Sequence, residues 1–223
     1  MEAIAREGQR LFSARLQLLS LWQEIAEHFY PERADFTTVR TLGAEFANHL
    51  STSQPVIMRR ELGDTFGAML RPSEDKWFSI TTNNYDTLDI ESKRWLEWAT
   101  NVQRRAMYDP KAMFVKATKE GDHFFATFGQ AVISREIDYG NNTLLYRNWH
   151  IRDVAWDEND RGEIDTIFRK WKPMVREAAR LFGKENLSKE TQILVDKEPH
   201  TRILMYHAIL PTQSYEFFGL AVS

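Results

Sequence analysis

The sequence predicts an α+β fold: N-terminal helices followed by antiparallel β-hairpins, with a further helix and strand. Three observations carry that expectation. Apolar residues recur at helical spacing as far as Phe128. From Gln130 the period drops to two, in short runs separated by turns rich in Gly, Asn and Asp. Helical spacing then returns after Pro173, and a last alternating run is stopped by Pro211. The expected organisation is a single region over 1–223, mainly helical over 1–129 and built of hairpins plus helix over 130–211.

Taken in order, the first helix runs to Pro31, because proline disfavours helix in the residue before it. Leu11, Leu18 and Ile25 form one heptad row; Trp22 and Phe29 form a second, in which Arg15 takes the place of an apolar residue. Glu32 to Gln54 reads as loop with a short helix at Thr41–Leu50. Ser53 can cap and Pro55 can open the next helix, which passes through Arg59 and Leu62 to Leu70. A third is expected at Ile90–Tyr108, with Trp95, Trp98, Ala99, Val102 and Ala106 inward and Glu97, Asn101 and Arg105 outward. The fourth is capped by Asp109 and started by Pro110. It carries Phe114, Ala117, Gly121, Phe124 and Phe128 as its stripe, and Gly129 ends it. Short connections predict that successive helices are antiparallel neighbours.

"QAVISREI" and "TLLYRNW" flank "DYGNN", a first hairpin; "HIRDVAW" and "EIDTIFRKW" flank "DENDRG", a second. Pro173 then begins a helix with Val175, Ala178, Ala179 and Phe182 on one face and Gly183 at its end. A short helix follows Ser188, and "TRILMYHAIL" is the last strand.

Composition narrows the function classes. With 43% hydrophobic residues and fourteen Phe, the 223-residue chain can bury a core, which excludes disorder. A net charge of −3 argues against a broad basic face gripping nucleic acid, though not against DNA that must slide past without sticking. The absence of Cys excludes disulfides, thiolate metal sites and thiol nucleophiles. Neither a signal-peptide pattern nor an apolar run long enough for a bilayer is present, so the expectation is a soluble intracellular protein with no membrane contact.

Candidate chemistry fails on spacing. An EF-hand loop counted from Asp157 would put Arg161 at a ligand position and Phe168 where a bidentate carboxylate belongs, between strands rather than helices. The stretch reads instead as a turn in which Gly162 takes the awkward dihedral. Glu120 and His123 are spaced like half of a di-iron motif, but no second Glu-x-x-His accompanies them. His150, His200 and His207 lack metal spacing and read as structural. No nucleophile elbow, phosphate loop or zincin motif is present. The expectation is no enzyme, no cofactor and no catalytic, cofactor-binding or metal residue.

The order of segments is more informative than any one motif. "LWQEIAEHFYPERADF", "RRELGDTFGAMLRPSEDKWFSI", "FVKATKEGDHFFATFGQAVISREI" and "WDENDRGEIDTIFRKWKPMVREAARLFG" follow one another across Leu21–Gly183. In that order they resemble the head-to-tail connecting (portal) proteins of short-tailed bacteriophages. The carrying residues are Trp22 with Pro31, Pro72 with Trp77 and Phe78, Phe128 with Gly129, and Gly162 to Asp165 followed by Arg169 and the Ala178–Gly183 helix end. The resemblance implies a wing-like fold and a structural, non-enzymatic role at the portal vertex of the virion, assembled in the bacterial host cytoplasm. It implies a homo-oligomeric ring, a dodecamer in the family, through which DNA is packaged and ejected without sequence preference. Its partners would be other portal subunits, terminase, capsid and tail or adaptor proteins, and the Asp157–Gly162 turn would be a hairpin tip in the peripheral wing.

The chain departs from the family pattern in length: after Pro211 it runs "TQSYEFFGLAVS", leaving stem and clip absent. That suggests a prophage remnant, a frameshifted product or an isolated wing-like fragment. Two rivals stand beside the portal reading: a phage or host protein-protein interaction module without ring formation, and a carboxylate-metal enzyme using Glu120, His123 and nearby acids.

Overall fold

A computed structural model describes residues 2–41, 43–45, 50–72 and 75–212. Among them the helices are α1 (Glu2–Ala14), α2 (Leu16–Phe29), α3 (Gln54–Leu70), α4 (Ile90–Met107), α5 (Phe114–Phe128), α6 (Val175–Phe182) and α7 (Lys189–Lys197). The strands are β1 (Val132–Asp138), β2 (Thr143–Trp149), β3 (Val154–Glu158), β4 (Ile164–Trp171) and β5 (Met205–Ile209). The fold is α+β, as the alternation of periods predicts. Contacts divide the chain into two compact units, residues 1–17 with 152–223, and residues 18–151.

In the first unit, β4 is the middle strand of an antiparallel sheet ordered β3-β4-β5. Phe168 on β4 pairs with Ala155 on one side and Ala208 on the other. Two small neighbours leave room for its ring, which is fully buried and packs against Leu11 of α1. Gly8 is placed by the same contact, since a Cβ there would come within 2.8 Å of the Phe168 ring. Val175 and Ala178 of α6 are also fully buried, whereas Phe182, expected on the same face, is 46% exposed.

The second unit is centred on α5. Its stripe is as expected, with Phe114, Ala117, Gly121, Phe124 and Phe128 buried, and His123 joins them. Trp22, Phe36, Phe124 and Phe128 form a mutual aromatic cluster with ring separations of 5.1–6.3 Å. The principal helical neighbour of α5 is α3, not the preceding α4, so the expectation of neighbouring α4 and α5 fails. Both hairpins form where predicted, as β1–β2 and β3–β4.

Gly129 ends α5 with φ +69° and donates its N–H to Phe125 O at 2.9 Å. No atom lies within 4 Å of where its Cβ would be, so the cost of a side chain there is conformational alone. Gly129→Ala is expected to lower the unfolding free energy by about 1 kcal/mol. A urea melt checks this; an unchanged midpoint would contradict the left-handed cap.

Several expectations are corrected. The first helix is two, parted at Arg15, whose guanidinium donates to the carbonyls of Val154 and, at 2.7 Å, Arg152. Burial pulls the Arg15 pKa down to about 10, against the pull of Asp153. The heptad rows are likewise divided: Leu11 is buried in the first unit, and Leu19, Trp22, Gln23 and Ala26 in the second. Leu18 and Phe29 remain exposed. Gln23 turns inward because its amide serves the following loop, accepting from Phe36 N and Thr37 N and donating to Ala34 O. Ser53 stands at the N-cap of α3, but its side chain makes no cap; the Thr52 hydroxyl accepts from Gln54 N instead. Asp89, Asp109 and Ser188 do cap, accepting from Ser92, Lys111 and Thr191 N–H groups. The short helix expected at Thr41–Leu50 lies mostly outside the described residues.

The buried line of α4 is Leu96, Thr100 and Met107, which leaves Trp95 61% and Trp98 57% exposed. Thr100 decides the rotation. Its hydroxyl donates to Leu96 O and accepts from Ile80 N at 2.9 Å, binding this face to the preceding extended segment.

Candidate functional site

A partly buried polar cluster, with Arg59 and His123 at its centre, lies where α3 meets α5. Gly63 makes it possible: a Cβ there would stand 2.1 Å from His123 Nδ1, so only glycine lets the imidazole reach α3. Arg59, one turn earlier and 6% exposed, sits over the Tyr30 ring at 3.8 Å. It donates to Phe29 O at 3.2 Å and lies 3.3 Å from His123 Nδ1. A guanidinium only donates, so Nδ1 must accept, which puts the imidazole proton on Nε2, 3.6 Å from Asp64 Oδ1. Asp64 also pairs with Lys119 at 3.1 Å, which lowers the Asp64 pKa, and Arg71 pairs with Asp122 further along the seam.

This geometry favours neutral His123. Burial lowers its pKa first, the Arg59 charge second, and Asp64 opposes them. The folded state therefore binds the proton less well than the unfolded chain. The His123 contribution is complete above the ordinary imidazole value of 6.5 and is lost as pH falls through and below it. In urea melts at about pH 7.5 and about pH 5.5, wild type is expected to lose more stability in acid than His123→Asn, which keeps an acceptor without a titration. Equal losses would refute the assignment.

The structure does not join Glu120 to His123. His123 faces Arg59 and Asp64, while Glu120 lines a separate hollow of about 350 Å³ with Lys116, Tyr146 and Arg147. The Asp157–Gly162 turn uses its own acceptors: Asn159 Oδ1 takes the N–H groups of Arg161 and Glu163, and Gly162 has φ +75°. Asp157 pairs with Arg10 at 3.0 Å. His150 lies between the rings of Phe36 and Phe124, with Nε2 2.9 Å from Asp35 Oδ1. His200 and His207 are exposed. Among the described residues no group of three or more His, Asp or Glu is placed to hold an ion, and no helix is long and apolar enough to cross a membrane.

The outer surface carries more than the buried cluster does. Ile25 and Phe29 of α2, Pro55, Met58 and Leu62 of α3 and Ala126 of α5 line an open apolar groove of about 770 Å³. Phe29, Met58 and Leu62 are 44%, 59% and 46% exposed along it. Trp95 and Trp98 form a second apolar feature, a ridge on α4 with ring centres 6.4 Å apart. Contiguous exposed apolar residues of this kind are found at interaction sites and ligand-binding grooves.

A family model described as bacteriophage head to tail connecting protein matches residues 1–217. The chain belongs to that family. Its family is therefore one of structural phage connectors. The chain is similar to a probable portal protein of Bordetella phage BPP-1, 25% identical over 213 residues. That alignment covers 93% of this chain and 37% of the relative, so the connector chain spans little more than a third of the portal relative's length.

Sequence reasoning missed Asp64, the burial of Arg59 and the outward turn of the tryptophans. The one signal for the cluster was Gly63, followed by Gly67, inside an otherwise strong helical pattern; interior helix glycines mark close approach.

Proposed function

We propose that this connector chain is the wing-like part of a portal subunit, acting structurally in a homo-oligomeric ring at the portal vertex of a virion assembled in the host cytoplasm. The single observation that carries this is the family match across residues 1–217, almost the whole sequence. The ring would pass DNA during packaging and ejection and would meet terminase, capsid and tail or adaptor proteins in turn. By this reading residues 1–223 form one wing-like region, stem and clip are not among them, and no catalytic residue is required. A net charge of −3 suits a surface past which a polyanion slides. The exposed apolar faces of α3 and α4 supply area for subunit contact.

The test is light scattering during gel filtration of the purified chain. A discrete, ring-sized mass is the expected result. A monomer or dimer at every concentration would overturn ring formation by this chain and leave an interaction module as the better description.

A further inference from the structure

We propose that the cationic cluster around the Phe12 ring binds a phosphate group, held by Lys170 Nζ and Tyr206 Oη with the charge of Arg15 behind them. The proposal stands apart from ring formation and needs only the first unit, residues 1–17 with 152–223.

Strand register brings the two binding groups together. Lys170 on β4 pairs with Tyr206 on β5, and directly opposed residues of antiparallel strands share a face. Both side chains meet α1 through Phe12. The Lys170 ammonium lies over that ring at 4.6 Å, the Arg15 guanidinium at 5.1 Å, and the Tyr206 ring is 6.2 Å away. One aromatic ring thus holds two cations, whose repulsion its quadrupole offsets only in part.

No carboxylate completes the pairing. Asp153 is the acid acting on both Lys170 and Arg15, and Arg152 already occupies it, with Nε 3.1 Å from Oδ1 and Nη2 3.1 Å from Oδ2. Arg15 donates to the neutral carbonyls of Val154 and Arg152, which leave its charge uncancelled. Among the described residues neither Lys170 Nζ nor Tyr206 Oη has a hydrogen-bond partner, and neither atom is sealed from solvent. Four cations, Arg15, Arg152, Lys170 and Lys172, therefore stand against one occupied carboxylate. Burial lowers the Lys170 pKa first; Asp153 opposes it, and the three neighbouring cations add to the fall. A bound anion would relieve that repulsion. A phosphate group suits the site because it offers two or more free oxygens, enough for an ammonium and a phenol hydroxyl at once. With a net charge of −3 on the whole chain, this is one local site and not a broad basic face.

The test is calorimetric titration of the full chain with inorganic phosphate, and separately with a short DNA duplex, at one fixed ionic strength. Wild type is compared with Lys170→Gln, Tyr206→Phe, and Lys189→Gln, a control that removes an exposed cation elsewhere in the same unit. Far-UV circular dichroism checks the fold of each. Wild type is expected to bind phosphate saturably, at a single site per chain. Lys170→Gln is expected to weaken binding about tenfold or more, Tyr206→Phe about fivefold and Lys189→Gln less than about twofold. Tyr206→Phe removes only a hydroxyl, so it still reads the site if Lys170→Gln disturbs the strand. If DNA binds more tightly and loses affinity in the same order of variants, the phosphodiester backbone is the source of the phosphate. If DNA is indifferent to Lys170→Gln while inorganic phosphate is not, the free anion is. Either result upholds the site. It is overturned if neither ligand binds saturably, if Lys189→Gln loses as much as Lys170→Gln, or if Lys170→Gln and Tyr206→Phe both bind like wild type. Oligomeric mass does not enter the readout, so a failure of the ring reading leaves this outcome untouched.

Discussion

Replacing Phe124 with alanine is expected to lower the unfolding free energy by about 3–5 kcal/mol, the range for removing a fully buried aromatic ring. Phe124 is 1% exposed and lies at the meeting point of several elements. Its ring faces Tyr30 at 6.0 Å, Phe128 at 5.7 Å and His150 at 5.3 Å. The Arg33 guanidinium lies over it at 5.6 Å. These neighbours come from α5, the end of α2, the turn after it and the residue following β2. Neighbours relax only partially into the space left by a fully buried ring, so the loss combines transfer and cavity terms. Phe125, next in sequence and 50% exposed, is the control. Its main ring contact is Phe66 at 5.6 Å, and Phe125→Ala is expected to cost about 1 kcal/mol or less. Urea melts of the two variants separate the cases. Equal losses would mean that the inward face of α5 has been misassigned.

The same helix shows what was legible in the sequence. Phe114, Ala117, Gly121, Phe124 and Phe128 could be read as one face because every apolar residue in that stripe is used for burial and Gly129 marks the end. The hairpins were legible for a related reason, since their turns carry residues that only turns favour. α4 was misread because periodicity reports that an apolar face exists, not what covers it. Trp95, Trp98 and Val102 make the stronger stripe, but Thr100 is held inward by Ile80 N, a bond no pattern of hydrophobicity encodes. Gln23 lies on neither heptad row and gave no signal for the same reason, its burial being set by a loop eleven to fourteen residues on. The polar cluster was the least legible. Arg59 and His123 are 64 residues apart, and Gly63 was the only local sign that α3 and α5 approach so closely.

Arg59→Ala is expected to destabilise the protein by about 3 kcal/mol, and by more near neutral pH than in acid. The first part follows from what the guanidinium holds. Phe29 O, at the last residue of α2, loses a charged donor at 3.2 Å, and hydrogen bonds to charged groups contribute about 1.5–3 kcal/mol. The Tyr30 ring loses a cation at 3.8 Å, worth about 1–2 kcal/mol where water is largely excluded. Arg59→Lys is expected to recover less than half, because an ammonium cannot reach Phe29 O, His123 Nδ1 and the ring face with one planar group. The pH dependence follows from His123. Removing the neighbouring cation relieves one of the two main influences that lower the imidazole pKa, so protonation of His123 in the folded state becomes easier. The variant then loses less further stability in acid than wild type does, and the gap between the two narrows as pH falls through the imidazole range. Burial still disfavours the imidazolium, so the gap narrows without closing. A double-mutant cycle of Arg59→Ala with His123→Asn, run at about pH 7.5 and about pH 5.5, isolates the coupling between the two groups. A coupling that stays the same at both pH values would show that protonation of His123 does not alter its interaction with Arg59, and a coupling of zero that the two groups stabilise the α3–α5 seam independently.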